Sequence, residues 1–293
     1  MLERRHVAFY AHSRGVPEDR AERDIVLTYV LHIMSDRILP RLAFKGGTCL
    51  KKIYFGNTGR FSMDLDFTSI DVKHEELSEE IKGLLNEKSW YDIDFTVDEE
   101  NLTSESYLAV VRYAHAWNPG TVFELQVSFR EQPVFPPEEL PIESEMYFKY
   151  CEFQSFPVKC MQRNEILSEK IRAAFQRVRS RDLYDLYLFA GRPYNRETIK
   201  ALVVLKCWNV RDPFNPELFF DKVEKGDYDW EDLRRLVRRG SLPSEEEVIT
   251  KVLDEYEYLG DMDKDLSKII RDSKAHRDKN LVTKILADLR YES

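Results

Sequence analysis

Arg60-Phe61-Ser62-Met63-Asp64-Leu65-Asp66-Phe67 is the stretch on which the fold turns. Met63, Leu65 and Phe67 alternate with Asp64 and Asp66, the period-two pattern of a strand with one buried face. Both carboxylates then leave the same side of that strand, one pleat apart. Two like charges so placed are unfavourable without a cation between them. A hard divalent ion, Mg²⁺ or Mn²⁺, takes such oxygen ligands and bridges to substrate phosphates. An Asp-x-Asp alone also fits a solvated strand. Here the apolar opposite face and Phe44-Lys45-Gly46-Gly47-Thr48 upstream favour the metal site. A glycine pair lets backbone amides approach a phosphate closely, and Thr48 reads either as a phosphate contact or as a helix N-cap. A phosphate cradle followed by a metal-binding Asp-x-Asp is the front half of a nucleotidyl-transfer site.

Working outward, residues 20–38 read as an amphipathic helix through Ile25, Leu27, Val30, Leu31 and Ile33. Leu42 to Phe44 is a short apolar approach to the glycines. Thr48 to Tyr54 opens a second helix, with the glycine turn at the end where phosphate is favoured. Asn57-Thr58-Gly59 signals a turn into the Asp-x-Asp strand. A helix is expected over Leu77 to Leu85, and strands over Tyr91 to Val97, Tyr107 to Tyr113 and Thr121 to Phe129. Pro133 to Pro141 breaks regular structure and reads as the linker; from Asn164 onward the pattern is helical almost to the end. The reading is α+β: residues 1–140 as a mixed sheet with helices, residues 141–293 as an α-helical C-terminal lobe.

The helical half carries the second motif, Glu169-Lys170-Ile171-Arg172 followed by Arg181-Asp182-Leu183-Tyr184-Asp185. Ile166, Leu167, Ile171, Ala174, Phe175 and Val178 make an apolar stripe, and Lys170 lies within it, one turn from Ile166 and Ala174. It reads either as reaching into a cleft or as snorkelling at the stripe's edge. Asp182 suits a first-turn acid after a Ser180 cap as well as it suits catalysis. Asp185 lies deeper, beside Leu183, Leu186 and Tyr187, where a charge needs a partner. Lys170 is the candidate.

The chain has 293 residues, 43% of them hydrophobic, enough for a large core in two substructures. No stretch suggests a membrane span or a signal peptide. Its four cysteines lack metal-ligand spacing, which predicts reduced thiols of a cytoplasmic protein. A formal charge of -9 argues against indiscriminate coating of nucleic acid. Arg163, Arg172, Arg177, Arg179 and Arg181 nevertheless gather near the second motif, and Arg234, Arg235, Arg238 and Arg239 form another run. Such runs are either solvated helix faces or the docking place of a polyanion.

Taken in order, Lys45-Gly46-Gly47-Thr48, Arg60 to Phe67, Glu169 to Ala173 and Arg181 to Leu186 resemble the AbiEii-type nucleotidyltransferase toxins of abortive-infection type IV toxin–antitoxin systems. The resemblance spans most of residues 20–190, with a weaker echo in Asp229-Trp230-Glu231-Asp232-Leu233. It implies a polymerase-β-like nucleotidyltransferase core and a helical lobe. It also implies Mg²⁺-dependent transfer of a nucleotide from NTP, with tRNA 3′ ends as acceptors in some relatives, and a cognate antitoxin. By motif, Asp64 and Asp66 would be metal ligands, and Gly46, Gly47 and Thr48 would hold phosphate. Lys170 would contact the triphosphate, and Asp185 would complete the site from the helical lobe. Arg172, Arg177, Arg179 and Arg181 would face the acceptor. Two departures stand out. The spacer from Gly47 to Asp64 is long, and Gln126 falls where relatives often carry an acid, with Glu124 on the same strand face as its substitute. A protein or small-molecule acceptor, and a degenerate fold that binds without turnover, are the competing readings.

Overall fold

The computed structural model describes residues 3–70, 74–271 and 279–291. Helix α1 (Arg4–Arg14) ends at Gly15, whose left-handed φ of 62° lets its amide and that of Val16 return to the carbonyls of His12 and Ala11. Helix α2 (Glu18–Met34) opens with Glu18 and Asp19 at its positive end and buries Ile25, Val26, Leu27, Val30 and Leu31. Strand β1 (Leu42–Lys45) leads into the short helix α3 (Gly46–Cys49), which continues as a π-helix over Leu50–Phe55. Strand β2 (Leu65–Ser69), α4 (His74–Leu85), β3 (Lys88–Trp90), β4 (Ile93–Leu102), β5 (Ser106–His115) and β6 (Asn118–Ser128) follow. β7 (Glu138–Pro141) and β8 (Pro157–Cys160) complete an eight-stranded sheet in the order β3-β4-β5-β6-β2-β1-β8-β7. β2 runs parallel to β6 and β1 parallel to β8; the other pairs are antiparallel.

One sheet face is dry. Phe44, Leu65, Phe67, Phe123, Leu125, Val127, Ala109 and Val111 are all buried, and the rings of Phe44 and Phe67 stand 5.2 Å apart. On the other face, Glu124 and Gln126 are exposed, in keeping with strict alternation along β6. Two details depart from the expected pattern. β2 starts at Leu65, so Asp64 sits in the bend before the strand rather than within it. The helix expected from Thr48 begins at Gly46 as an α-helix and passes at Leu50 into a π-helix, a form frequent at functional sites.

The remaining helices are α5 (Arg163–Gln176), α6 (Ser180–Phe189), α7 (Arg196–Asn209), α8 (Pro216–Lys225), α9 (Trp230–Arg234), α10 (Glu245–Tyr256), α11 (Lys264–Arg271) and α12 (Lys279–Tyr291). The chain forms two compact units. Unit 1 comprises residues 1–133, 137–161 and 235–241; unit 2 comprises 134–136, 162–234 and 242–293. Residues 141–161, read from sequence with the helical half, carry β8 and belong with the sheet. The Pro133 to Pro141 stretch is not simply a linker. Phe135 is buried in a unit 2 cluster with Leu202, Leu205 and Ile285, while residues 138–141 turn back as β7. No helix among the described residues is long and apolar enough to cross a membrane.

Candidate active site

The site in unit 1 is built around the end of β1 and the start of β2. Gly46 adopts φ 74°, a conformation side chains resist, and a Cβ there would fall inside the Asp66 carboxylate. A Cβ on Gly47 would lie 2.8 Å from an Arg60 guanidinium nitrogen and 2.8 Å from the Ser62 hydroxyl. The glycines therefore do two things: they turn the chain, and they leave room for Asp66, Arg60 and Ser62 against the backbone. Thr48 is buried, and its hydroxyl donates to the Asp64 carbonyl. That bond ties the glycine turn to the Asp-x-Asp across a long sequence gap. Neither the helix-cap nor the phosphate reading of Thr48 anticipated it.

Cross-strand register places Lys45 and Gln126 on either side of Asp66. Asp64 is half-buried, and its Oδ1 accepts a hydrogen bond from the Glu124 amide at 3.3 Å. Glu124 thus touches Asp64 through its backbone, and Gln126 is the residue beside Asp66. Among the described residues, no group of three or more His, Cys, Asp or Glu side chains is placed to hold a metal ion. The pair Asp64 and Asp66 offers oxygen donors only. This fits Mg²⁺, which keeps several waters and completes its shell with substrate phosphates rather than with an all-protein cage.

Behind the turn lies a buried charged network that the sequence reading missed. Lys52, from the π-helix, donates to Asp24 Oδ1 at 2.9 Å, to the Asp24 carbonyl at 2.9 Å and to Thr28 Oγ1 at 2.7 Å. Tyr10 donates to Asp24 Oδ2 at 2.9 Å, and the Thr28 and Tyr147 hydroxyls bond at 2.7 Å. The neighbouring Lys51 pairs with Glu145 at 2.5 Å, and Glu145 also takes Arg14. Burial raises the Asp24 pKa, but Lys52 and Lys51 with the hydrogen bonds from Lys52 and Tyr10 outweigh it and hold the carboxyl below its ordinary value. The sequence signal was present. Asp24 and Thr28 are one turn apart on a helix whose neighbouring positions are apolar, and a buried charge there demands a cation.

In unit 2, Lys170 is only 8% exposed, so it does not snorkel to water. Its ammonium lies 2.7 Å from Asp185 Oδ2 and 3.4 Å from Asp182 Oδ1. The Asp185–Lys170 pairing expected from the apolar stripe is therefore present. Asp182 does lie in the first turn of α6, but Ser180 is the first residue of that helix and not its cap. The Asp182 carboxylate also takes Arg177 through Nε at 2.7 Å and Nη2 at 3.2 Å, while the Ser180 hydroxyl donates to the Asp229 carbonyl. Arg172 turns inward, donating to the Lys206 carbonyl at 2.9 Å and lying 3.8 Å from Glu169. Arg181 stands 3.4 Å from Asp232, and Arg179 is exposed. A second missed network holds α5 in place: Lys206, 1% exposed, lies 3.1 Å from Glu165 and 3.4 Å from Glu169.

Residues 33–271 match the family model described as nucleotidyl transferase AbiEii toxin, type IV TA system. The chain belongs to this family. An AbiEii-type toxin is a nucleotidyltransferase, and its type IV system pairs it with an antitoxin. The chain is also similar in structure to MenT4, a nucleotidyltransferase toxin from Mycobacterium tuberculosis H37Rv, with a TM-score of 0.83 and 26% identity over 99% of each chain. Among proteins of curated function none matches. The AbiEii assignment bears out the resemblance carried by the two motifs, and with it the α+β nucleotidyltransferase fold followed by a helical C-terminal part.

Gly46→Ala is expected to be a mild change for the fold and a severe one for the site. The left-handed backbone would cost about 1–2 kcal/mol with a Cβ present. The Asp66 carboxylate would have to move, and a displacement near 1 Å at a reacting centre costs on the order of a hundredfold in rate. Thermal melting beside a transfer assay separates the two effects; equal loss in both would mean that the glycine serves folding alone.

Proposed function

We propose that this chain transfers a nucleotide from an NTP, in a divalent-metal-dependent reaction, to an RNA acceptor, with the 3′ end of tRNA as the acceptor most consistent with its family. The observation that carries this reading is the Asp64/Asp66 pair set against the Gly46-Gly47 turn. Asp64 and Asp66 would hold Mg²⁺ or Mn²⁺. The ion, when bound, supplies charge neutralisation and alignment of triphosphate oxygens. The amides of Gly46 and Gly47 would receive phosphate oxygens, and Thr48 keeps that turn tied to Asp64. Lys170 would offset charge on the leaving pyrophosphate, held at a fixed place by Asp182 and Asp185. A protein acting on intracellular RNA would work in the cytoplasm alongside its antitoxin.

Incubation with each labelled NTP and total RNA tests the reading. Label on RNA, abolished by chelation of divalent ions, is the expected result. Label on protein, or no label at all, would transfer the conclusion to the protein-acceptor or binding-only reading, the latter favoured by neutral Gln126 beside Asp66. Lys170→Ala should weaken NTP binding and slow transfer, and the stranded Asp185 should lower stability by on the order of 1–3 kcal/mol. Unchanged nucleotide affinity and rate in that variant would leave Lys170 a purely structural residue.

A further inference from the structure

We propose that residues 235–241 form an RNA-docking strap on unit 1, with Arg235, Arg238 and Arg239 contacting acceptor phosphates next to the Asp64 segment. This rests on the RNA-acceptor reading above. The strap comes from the helical half of the sequence but packs within unit 1. Leu236 and Val237 are 1% and 5% exposed, whereas Arg235, Arg238 and Arg239 are exposed on either side of them. The apolar pair anchors the segment and turns the guanidinium groups to solvent.

Two backbone hydrogen bonds fix its place. The Phe61 amide donates to the Leu236 carbonyl at 2.7 Å, and the Arg239 amide donates to the Gly15 carbonyl at 3.0 Å. Gly15, at the end of α1, lies against the strap: a Cβ there would lie 3.3 Å from the Arg239 nitrogen and 3.4 Å from Arg238 Cγ. Phe61 is three residues from Asp64, no more than about 10 Å along an extended chain. The strap is thus hydrogen-bonded to the residues that lead into the metal-binding pair.

The charge on it is available. Among the described residues, none of these three arginines has a carboxylate within ion-pairing distance, whereas Arg234, just before the strap in unit 2, pairs with Glu231 and Glu245. In the arginine group near the second motif, Arg172, Arg177 and Arg181 are engaged with partners of their own unit. For a chain of net charge -9, three uncompensated guanidinium groups beside the catalytic strand make a local positive field of the kind that RNA phosphates occupy.

The test uses the full chain with Arg235→Glu, Arg238→Glu and Arg239→Glu combined, and a milder triple replacement by Gln in case the first does not fold. Three quantities are read: NTP binding, binding of purified tRNA as a function of salt, and transfer of labelled nucleotide to it. Expected are unchanged NTP binding, weaker tRNA binding and a salt slope shallower by about 0.7–0.9 per lost phosphate contact, roughly 2–3 in all. Wild-type transfer to tRNA with an unaltered slope and affinity in a folded triple variant overturns the strap and leaves the RNA reading standing. Failure of the wild-type protein to bind or label any RNA overturns both.

Discussion

Asp64→Asn is expected to abolish nucleotide transfer, by on the order of 10³-fold or more, while leaving the fold intact. The substitution is nearly isosteric, and the Asn carbonyl oxygen can still accept the hydrogen bond that Asp64 Oδ1 takes from the Glu124 amide. What it removes is one of the two anionic groups of the proposed metal site, for which no group of three or more His, Cys, Asp or Glu is placed among the described residues. Removing one of two neighbouring negative charges also relieves repulsion, so the melting temperature should hold or rise slightly. Asp66→Asn should behave alike in activity. Steady-state transfer at saturating Mg²⁺ together with a thermal melt gives both numbers. Activity within tenfold of wild type in the double variant would remove the metal-site assignment.

Lys52→Met is expected to produce the largest loss of stability, about 3–5 kcal/mol, because it leaves a fully buried carboxylate without its cation. Lys52 gives three hydrogen bonds to Asp24 and Thr28, and its ammonium sits where water does not reach. The double variant Asp24→Asn with Lys52→Met should recover much of that loss, since removing both charges also removes the desolvation penalty. Denaturant midpoints for the two single variants and the double variant form the test. Additive losses would show that the ions do not act as a pair. Acid should reproduce the effect. The Asp24 carboxyl is held below its usual value in the folded protein, so its contribution is fully present above the unfolded carboxylate pKa of about 3.9 and is lost as pH falls through the lower folded value. The Asn–Met double variant should be less sensitive to pH in that window.

These two predictions differ in how far the sequence led to them. The Asp-x-Asp was legible because strand alternation is local: Leu65 and Phe67 face the dry side, and that fixes the side of Asp66. The Lys170–Asp185 pair was legible because a charge inside an apolar helical stripe calls for an opposite charge within reach. The Asp24–Lys52 pair was harder, because it depends on a π-helix that changes which side chains face α2, and nothing in residues 50–55 announces that form. Arg172 reads from sequence as one of the arginines facing the acceptor, yet it donates to a backbone carbonyl in another helix, which no side-chain pattern encodes. β3, β7 and β8 escaped notice because each has only three or four residues, and β7 and β8 include Pro141 and Pro157. Such edge and end positions are where proline is tolerated in a sheet.

The return of residues 235–241 to unit 1 also bears on how this protein can be divided. A chain stopped after Met161 would contain every strand of the sheet and both Asp64 and Asp66, and would look from sequence like a self-sufficient module. It would lack Leu236 and Val237, and so expose the apolar surface they cover and leave the Phe61 amide without its acceptor. Exchange of C-terminal halves between related toxins would instead set a foreign strap against Phe61, three residues before Asp64. A hybrid that keeps the sheet's own strap would therefore need crossover points at both ends of residues 235–241.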